Sequence, residues 1–119
     1  MKTGPSSDVG TELLFENDRV RVWQLSLGPG ETSPQHRHEA DYVYVYLMES
    51  RIAVESVGSV PVAAAYDDGY VQYREVGPGV EHRIRNVGPA AHRQIIVELK
   101  GPSRSRTPGA PQTNGRKRP

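Results

Sequence analysis

The segment "PQHRHEADYVYVYL", residues 34–47, joins two histidines spaced by one residue to an alternating run of tyrosine and valine. Alternation of aromatic and β-branched residues with period two is typical of a β-strand. Residues i and i+2 of a strand share a face, so His36 and His38 project side by side and Arg37 points the other way. The segment therefore predicts a strand that presents two imidazoles together.

Period two also dominates the rest of the chain. Turn-forming stretches such as "GPGETSP", "DDG" and "GPG" separate the alternating segments. Only "PVAAAYDD" has a composition that suits a helical turn, and it is too short to form a layer. Many short strands predict an all-β sandwich or small barrel. Besides Asp41–Met48, the predicted strands are Arg19–Leu27, Arg51–Val57, Tyr70–Val76, Glu81–Val87 and Arg93–Lys100.

Length and composition predict one domain and exclude several classes of protein. A chain of 119 residues is of ordinary single-domain size. It has no cysteine, which excludes disulfides and thiolate metal sites. No apolar run approaches the roughly 20 residues of a membrane span, and the N-terminus lacks the apolar core of a secretory signal. These features predict a cytoplasmic protein that does not contact membranes.

The charges are distributed unevenly along the chain. Residues 101–119 hold five of the 15 basic residues and no acid, which leaves ten basic and 14 acidic residues in 1–100. The terminal segment is rich in Pro, Gly, Ser and Thr and offers nothing strongly hydrophobic to bury, which predicts disorder. We therefore expect a flexible segment 1–10, a domain at 11–100 and a disordered basic tail at 101–119. Because the domain lacks a basic face, nucleic-acid binding is not expected. If the protein did bind nucleic acid, the basic tail would be the surface that contacts it.

A third histidine lies on a later predicted strand. The stretch "GVEHRIRNVG" places His82, Ile84 and Asn86 on one face and two arginines on the other. An inward face that carries polar groups needs partners for them. Three neutral imidazoles that converge on one point satisfy each other best through a metal ion. His36, His38 and His82 are therefore the candidate metal ligands.

Two motifs make the chain similar to a known family. "GETSPQHRH" and "GVEHRIRN" resemble the two signature motifs of the cupin superfamily, small jelly-roll barrels with a central metal. The resemblance spans roughly residues 11–100 and looks most like the small single-domain cupins, a group that includes beta-alanine degradation proteins. It implies a double-stranded β-helix and supports the three histidines as ligands. The matching positions are Gly30, His36, His38, Gly79, His82 and Asn86.

The first motif departs from the family at the fourth ligand. Where the family has a metal-binding glutamate, this chain has Tyr42 or Val43. Val43, in the expected inward position, cannot ligate. Asp41 shares its parity and is the candidate fourth ligand, with capping of the loop or pairing with Arg37 as the alternative role.

Parity also gives expectations for the other aromatic and histidine side chains. If Val43 points inward, then Tyr42, Tyr44 and Tyr46 lie outside the barrel, where a homodimer contact or the chain's own N-terminal segment would cover them. His92 stands alone at the start of a strand and is predicted to be a surface residue.

These observations support one leading hypothesis of function and two alternatives. A three-histidine site without a carboxylate resembles those of the iron dioxygenases in the superfamily, which implies Fe²⁺, with Zn²⁺, Mn²⁺ or Ni²⁺ as alternatives. The leading hypothesis is a small metal-dependent cupin enzyme, an oxygenase or related, that acts on a small polar metabolite. Asp41, Tyr73 and Glu75 are candidate acids or bases, and the spacing assigns the catalytic role to none of them. The alternatives are a non-catalytic cupin that binds a small ligand or serves as an accessory or sensor protein, and a protein whose basic tail contacts nucleic acid or a partner.

Overall fold

The part of the chain that the structure describes consists of strands and connecting loops. The computed structural model describes residues 8–104. Within this range there is no helix long and apolar enough to cross a membrane. The all-β prediction is confirmed. In chain order the strands are β1 (Glu12–Glu16), β2 (Val20–Leu27), β3 (His36–His38), β4 (Asp41–Tyr46), β5 (Ser50–Ser56), β6 (Val62–Tyr66), β7 (Val71–Arg74), β8 (Val80–Asn86) and β9 (His92–Leu99).

The strands form two antiparallel sheets that enclose the core. The five-stranded sheet has the order β1-β2-β9-β4-β7, and the four-stranded sheet has the order β3-β8-β5-β6. Non-consecutive strands are neighbours in both sheets, as the predicted jelly roll requires. The chain passes from the smaller sheet to the larger one at Glu39 and Ala40, between β3 and β4. β3 has only three residues and lies at the edge of its sheet.

The stretch that suggested a helical turn is a strand. β6 pairs with β5 along its whole length, from Ser50 opposite Tyr66 to Val54 opposite Val62. The alanines of β6 favour a helix in isolation, but five residues are too few to sustain one. Pairing with β5 gives the same backbone groups partners in a sheet.

The tyrosines of β4 face the interior, so the expectation that they lie outside the barrel is wrong. Tyr42 and Tyr46 are buried and Tyr44 is half-buried. Their rings pack against one another, with centroids 6.0 Å apart for Tyr42 and Tyr44 and 5.5 Å apart for Tyr44 and Tyr46. The period of two continues from the β3 histidines through the crossover, so even-numbered residues point inward on both strands.

His92 is also inside the protein, which corrects its prediction as a surface residue. Its exposed fraction is 0%. Both ring nitrogens have partners, because Nδ1 lies 2.7 Å from the Ser50 hydroxyl and Nε2 lies 2.7 Å from Oε1 of Gln94. Burial lowers the pKa of His92, against the opposing effect of the bond to Gln94. The neutral imidazole is thus a hydrogen-bonded part of the core.

The domain contacts residues on both sides of the predicted range 11–100. Val9 is 1% exposed and belongs to the hydrophobic core. At the other end, the Ser103 hydroxyl donates to Oδ1 of Asp41 at 2.5 Å, and the Arg104 amide donates to Oδ2 at 2.8 Å. The prediction of disorder for the rest of both terminal segments falls on residues 1–7 and 105–119, which lie outside the described residues.

Two truncations test where the folded unit ends. Removal of residues 105–119 should leave the melting temperature unchanged within error, because the sequence offers no strongly hydrophobic side chain to anchor them. Removal of residues 101–119 should lower it by several degrees, because the Asp41 carboxylate loses two hydrogen bonds and the Gly77 amide loses its bond to Ser103. Thermal unfolding of both proteins is the measurement. Equal melting temperatures would show that Ser103 and Arg104 contribute nothing.

Candidate metal centre

Strand pairing brings the three candidate ligands together. His36 of β3 lies directly opposite His82 of β8 in the antiparallel register, and His38 follows two residues later on the same face. The three rings meet edge to face, with centroid separations of 4.7 Å for His36–His82, 4.8 Å for His38–His82 and 4.9 Å for His36–His38. The predicted convergence of these side chains is therefore present in the fold.

The nitrogen atoms of the three rings lie close enough together to be candidate ligands of one ion. Nδ1 of His36 lies 3.0 Å from the carbonyl oxygen of Pro34. A donated hydrogen bond there leaves Nε2 as the lone-pair nitrogen. Nε2 of His38 and Nε2 of His82 are 3.0 Å apart. One potential ligand atom from each residue lies within 4.8 Å of the other two.

One observation supports the fit of a metal to this group. Two nitrogens bound to one ion at about 2.1 Å and at a right angle lie about 3.0 Å apart, the separation of the His38 and His82 nitrogens. Nδ1 of His38 is buried and has no hydrogen-bond partner among the described residues, but it is not the atom that faces His82, so an ion at Nε2 would leave it unpartnered. The facing Nε2 atoms therefore carry the argument for a shared ion.

The histidines are neutral, which metal binding requires. Burial lowers the pKa of His36, against the opposing effect of the Pro34 carbonyl. Burial, reinforced by His36 and Arg74, lowers the pKa of His82 to about 3. The pKa of His38 also lies well below its usual value, first because of burial and then because protonation would place its charge beside His82, His36 and Arg74. All three side chains therefore present lone pairs at neutral pH.

The backbone conformation near the histidine group requires a glycine at position 79. Gly79 has a φ of 134°, and a Cβ there would lie 2.1 Å from Nη2 of Arg37. That guanidinium also donates to the Pro78 carbonyl at 2.7 Å. Arg37 points away from the histidines, as predicted, and its hydrogen bond to Pro78 connects β3 to the loop that precedes β8. The glycine of the second motif thus gives the backbone room for this contact.

Asn86, the last residue of the second motif, has a structural position. It is 1% exposed. Its amide nitrogen donates to the carbonyls of Leu27 at 3.0 Å and Ala90 at 2.8 Å, and its oxygen accepts from the Gly88 amide at 3.0 Å. Asn86 therefore connects β8 to the other sheet and to the following turn, rather than contributing to the metal group.

The structure does not bring Asp41 into the histidine group. Its carboxylate accepts hydrogen bonds from the Val76 amide at 2.9 Å, from Ser103 and from the Arg104 amide. Burial alone would raise the pKa of Asp41, but the bonds from Arg104, Ser103 and Val76 lower it. Asp41 therefore has the loop-capping role that the sequence left open. Its carboxylate binds the backbone just after β7 and the segment that follows β9.

The histidines line one wall of a cavity between the sheets. Its volume is about 170 Å³, room for about five or six waters at about 30 Å³ each. Leu25, Val54 and Ile96 contribute apolar walls, and Arg74 and Gln94 contribute polar ones. Neither polar residue was identified from the sequence as part of the site. For Arg74 a signal was present, because the alternation of "YVQYREV" puts Tyr70, Gln72 and Arg74 on one face.

Tyrosines form the opposite wall. The ring of Tyr42 stacks on that of His38, with centroids 4.0 Å apart and planes 14° from parallel. Burial raises the pKa of Tyr42 to about 12 and raises that of Tyr44 and Tyr46. These phenols therefore stay protonated and are able to donate hydrogen bonds inside the cavity.

The remaining candidate acids and bases lie at the edge of the cavity. The Tyr73 hydroxyl donates to Oε2 of Glu75 at 2.9 Å. Burial, followed by Glu75, raises the pKa of Tyr73 to about 12. Glu75 lines both the cavity and an outer groove, whereas Tyr73 and Asp41 line the outer groove and are not among the residues of the cavity.

Comparisons with known proteins identify this fold of two antiparallel sheets as that of the cupins. No protein-family model matches the chain. A cupin domain from Bordetella pertussis Tohama I has a TM-score of 0.68 at 25% identity, over 84% of this chain and 100% of that one. An RmlC-like cupin from Methanocaldococcus jannaschii, with a double-stranded β-helix, has a TM-score of 0.61 at 17% identity, over 83% and 86% of the two chains.

A curated relative is more specific. The beta-alanine degradation protein BauB of Pseudomonas aeruginosa is 31% identical over 88 residues, which are 71% of this chain and 84% of BauB. The chain therefore belongs to the family of small cupins that includes BauB. The fold and family that the two motifs implied are confirmed.

Proposed function

We propose that this protein is a metal-dependent cupin enzyme that acts on a small polar metabolite at His36, His38 and His82. The observation that carries the proposal is the meeting of three neutral imidazoles in a cavity with polar walls. A wholly apolar cavity would suit simple ligand binding better. Fe²⁺ is the metal we propose, with Zn²⁺, Mn²⁺ and Ni²⁺ as the other ions that an all-imidazole site suits.

The chain's own residues divide the work of such a reaction. When bound, the ion supplies Lewis-acid or redox chemistry at its open coordination positions. Tyr42 stacks on His38 and fixes the plane of its ring. The apolar side chains of the cavity limit the water that surrounds a bound molecule, which strengthens polar contacts. Glu75, at the cavity edge, is the candidate proton acceptor that remains, since Asp41 is occupied elsewhere.

The family relationship and the composition add further support. BauB is named for the degradation of beta-alanine, and a cavity of about 170 Å³ suits a metabolite of that size class. The absence of cysteine from the chain is consistent with the cytoplasmic location that we propose.

Oxygen uptake tests the oxygenase form of the proposal. Protein loaded with Fe²⁺ should consume O₂ when given a small chelating thiol acid or diketone, because the ion and the cavity walls hold the reactants together. An oxygen electrode follows the reaction, and His82→Ala protein serves as the blank. If uptake across the panel is no faster than the blank while iron is demonstrably bound, the oxygenase form is wrong, and a hydrolytic or isomerase reaction becomes the better assignment.

A non-catalytic ligand-binding or sensor protein is the alternative. The apolar part of the cavity, which includes Leu25, Val54 and Ile96, favours it. Such a protein would bind its ligand without converting it, whichever of the proposed metal ions it is loaded with, whereas an enzyme would convert the ligand to a product.

A homodimer also remains part of the proposal, although the tyrosines cannot provide its surface because they face the cavity. Leu13, Leu14 and Phe15 are exposed on β1, an edge strand. An apolar edge strand is suited to pairing with a second copy. Sedimentation should therefore show a dimer that Leu14→Lys shifts towards monomer. A wild-type protein that is monomeric at high concentration would end this part of the proposal.

A further inference from the structure

Arg74 carries a positive charge into the cavity that holds the histidine group. It is the last residue of β7, lies opposite Tyr42 in the register with β4, and lines the cavity. Its charge opposes the rise in the pKa of Tyr42, whose ring stacks on His38. Its charge acts on the pKa of both His38 and His82. One aromatic ring thus separates the guanidinium from a candidate metal ligand.

No acid pairs with this cation within the described residues. Between positions 8 and 104, carboxylates lie within 4.0 Å of Arg21, Arg37, Arg83 and Lys100, and none lies that close to Arg74. A guanidinium has five N–H donors in a planar fork. Half-burial of the Arg74 side chain makes an unpaired charge there costly.

The charges of the cavity favour an anionic ligand. The imidazoles and the phenols are neutral, and among the lining residues that the structure describes the carboxylate of Glu75 at the cavity edge is the only negative charge. A divalent ion together with Arg74 exceeds that charge by two. A planar guanidinium also matches the geometry of a carboxylate, which it can bind through two parallel hydrogen bonds.

We propose that Arg74 is a specificity-determining residue that binds the carboxylate of a small organic acid, while a donor atom of the same molecule binds the ion held by the histidines. This inference rests on the proposed function and adds the class of its substrate. The cavity volume of about 170 Å³ limits that acid to a short one. Tyr42, between the two anchoring points, also packs against the molecule's carbon chain.

A matched pair of ligands tests the inference without turnover. Mercaptoacetate and mercaptoacetamide carry the same thiol and differ in the carboxylate. Protein loaded with Co²⁺ is titrated with each, and the absorption band of the thiolate-bound ion reports binding. Wild type should prefer the acid by at least about tenfold, the size of a hydrogen bond to a charged group. Arg74→Gln should abolish that preference, and Arg74→Lys, which keeps the charge, should restore part of it.

The controls separate this inference from the function on which it rests. Arg85→Gln removes an exposed arginine from β8 and should keep the wild-type preference. Co²⁺ content and melting temperature are measured for every variant. If wild type retains no Co²⁺, the proposed function is wrong and the inference falls with it. If Arg74→Gln retains Co²⁺ and still prefers the acid as strongly as wild type, only the role of Arg74 is wrong.

Discussion

Protein with His82 replaced by Ala should retain no divalent ion after purification without an affinity tag, whereas wild type should retain about one per chain. His82 is the ligand that β8 contributes, and without it both remaining imidazoles come from the three residues of β3. Loss of a partner that merely orients a ligand costs about 10–100-fold in metal affinity, so loss of the ligand itself should cost more. Elemental analysis of the purified protein measures the effect.

The fourth histidine provides the matched control. His92→Ala should keep the ion but lower the melting temperature, because Ser50 and Gln94 lose their partner inside the core. Equal metal content in wild type and the His82 variant would contradict the assignment of the site. So would loss of the ion from a folded His92 variant.

The largest expected loss of stability follows from Asn86→Ala. The change removes three hydrogen bonds and leaves the carbonyls of Leu27 and Ala90 and the amide of Gly88 without this partner. The Leu27 carbonyl is buried, whereas the bonds to Ala90 and Gly88 are only part-buried. An unsatisfied buried group costs about 1–3 kcal/mol and a typical lost hydrogen bond about 1 kcal/mol, so the free energy of unfolding should fall by about 2–4 kcal/mol. In a domain of this size the melting temperature should fall by about 10 °C.

Denaturant unfolding of both this variant and Arg85→Ala checks the expectation. Arg85 is the neighbouring residue, and its side chain is exposed on the other face of β8. Its replacement should change the free energy of unfolding by no more than about 0.5 kcal/mol. Similar losses in the two variants would mean that the bonds of Asn86 contribute little.

The sequence was most informative where a motif and a strand period agree. Gly79, His82 and Asn86 occupy fixed positions of the second motif, and alternation puts His82 and Asn86 on one face. His36 and His38 follow the same logic on β3. Pairing of β3 with β8 was not visible in the sequence, but three imidazoles on inward faces have few other ways to meet. The all-β class and the histidine group were therefore predictable.

The errors arose where one residue had to be chosen as inward. The family's glutamate position pointed to Val43, and that choice turned Tyr42 outward and made Asp41 a ligand candidate. The simple period, counted from His38 through Ala40 to Tyr42, gives the observed orientation. In a strand with a period of two, an error of one residue in the inward position assigns every side chain of the strand to the wrong face.

The burial of His92 and the role of Arg74 depend on contacts between distant segments. His92 is inside because Ser50, which is 42 residues away, meets one of its nitrogens. Arg74 matters because β7 lies beside β4, which places it opposite Tyr42. Partners so far apart in sequence leave no local pattern, so tertiary structure is needed to find them.

The short edge strand β3 has a consequence for how the protein would depend on the supply of the metal that we propose. Among the described residues β3 pairs on one side only, with β8, and its three residues provide two of the three candidate ligands. An ion shared between β3 and β8 would join the edge to the sheet, so binding free energy would become local folding free energy. In cells starved of the metal, opening of this edge would expose backbone that proteases can reach. The abundance of the protein, and not only its activity, would then follow the metal content of the cell.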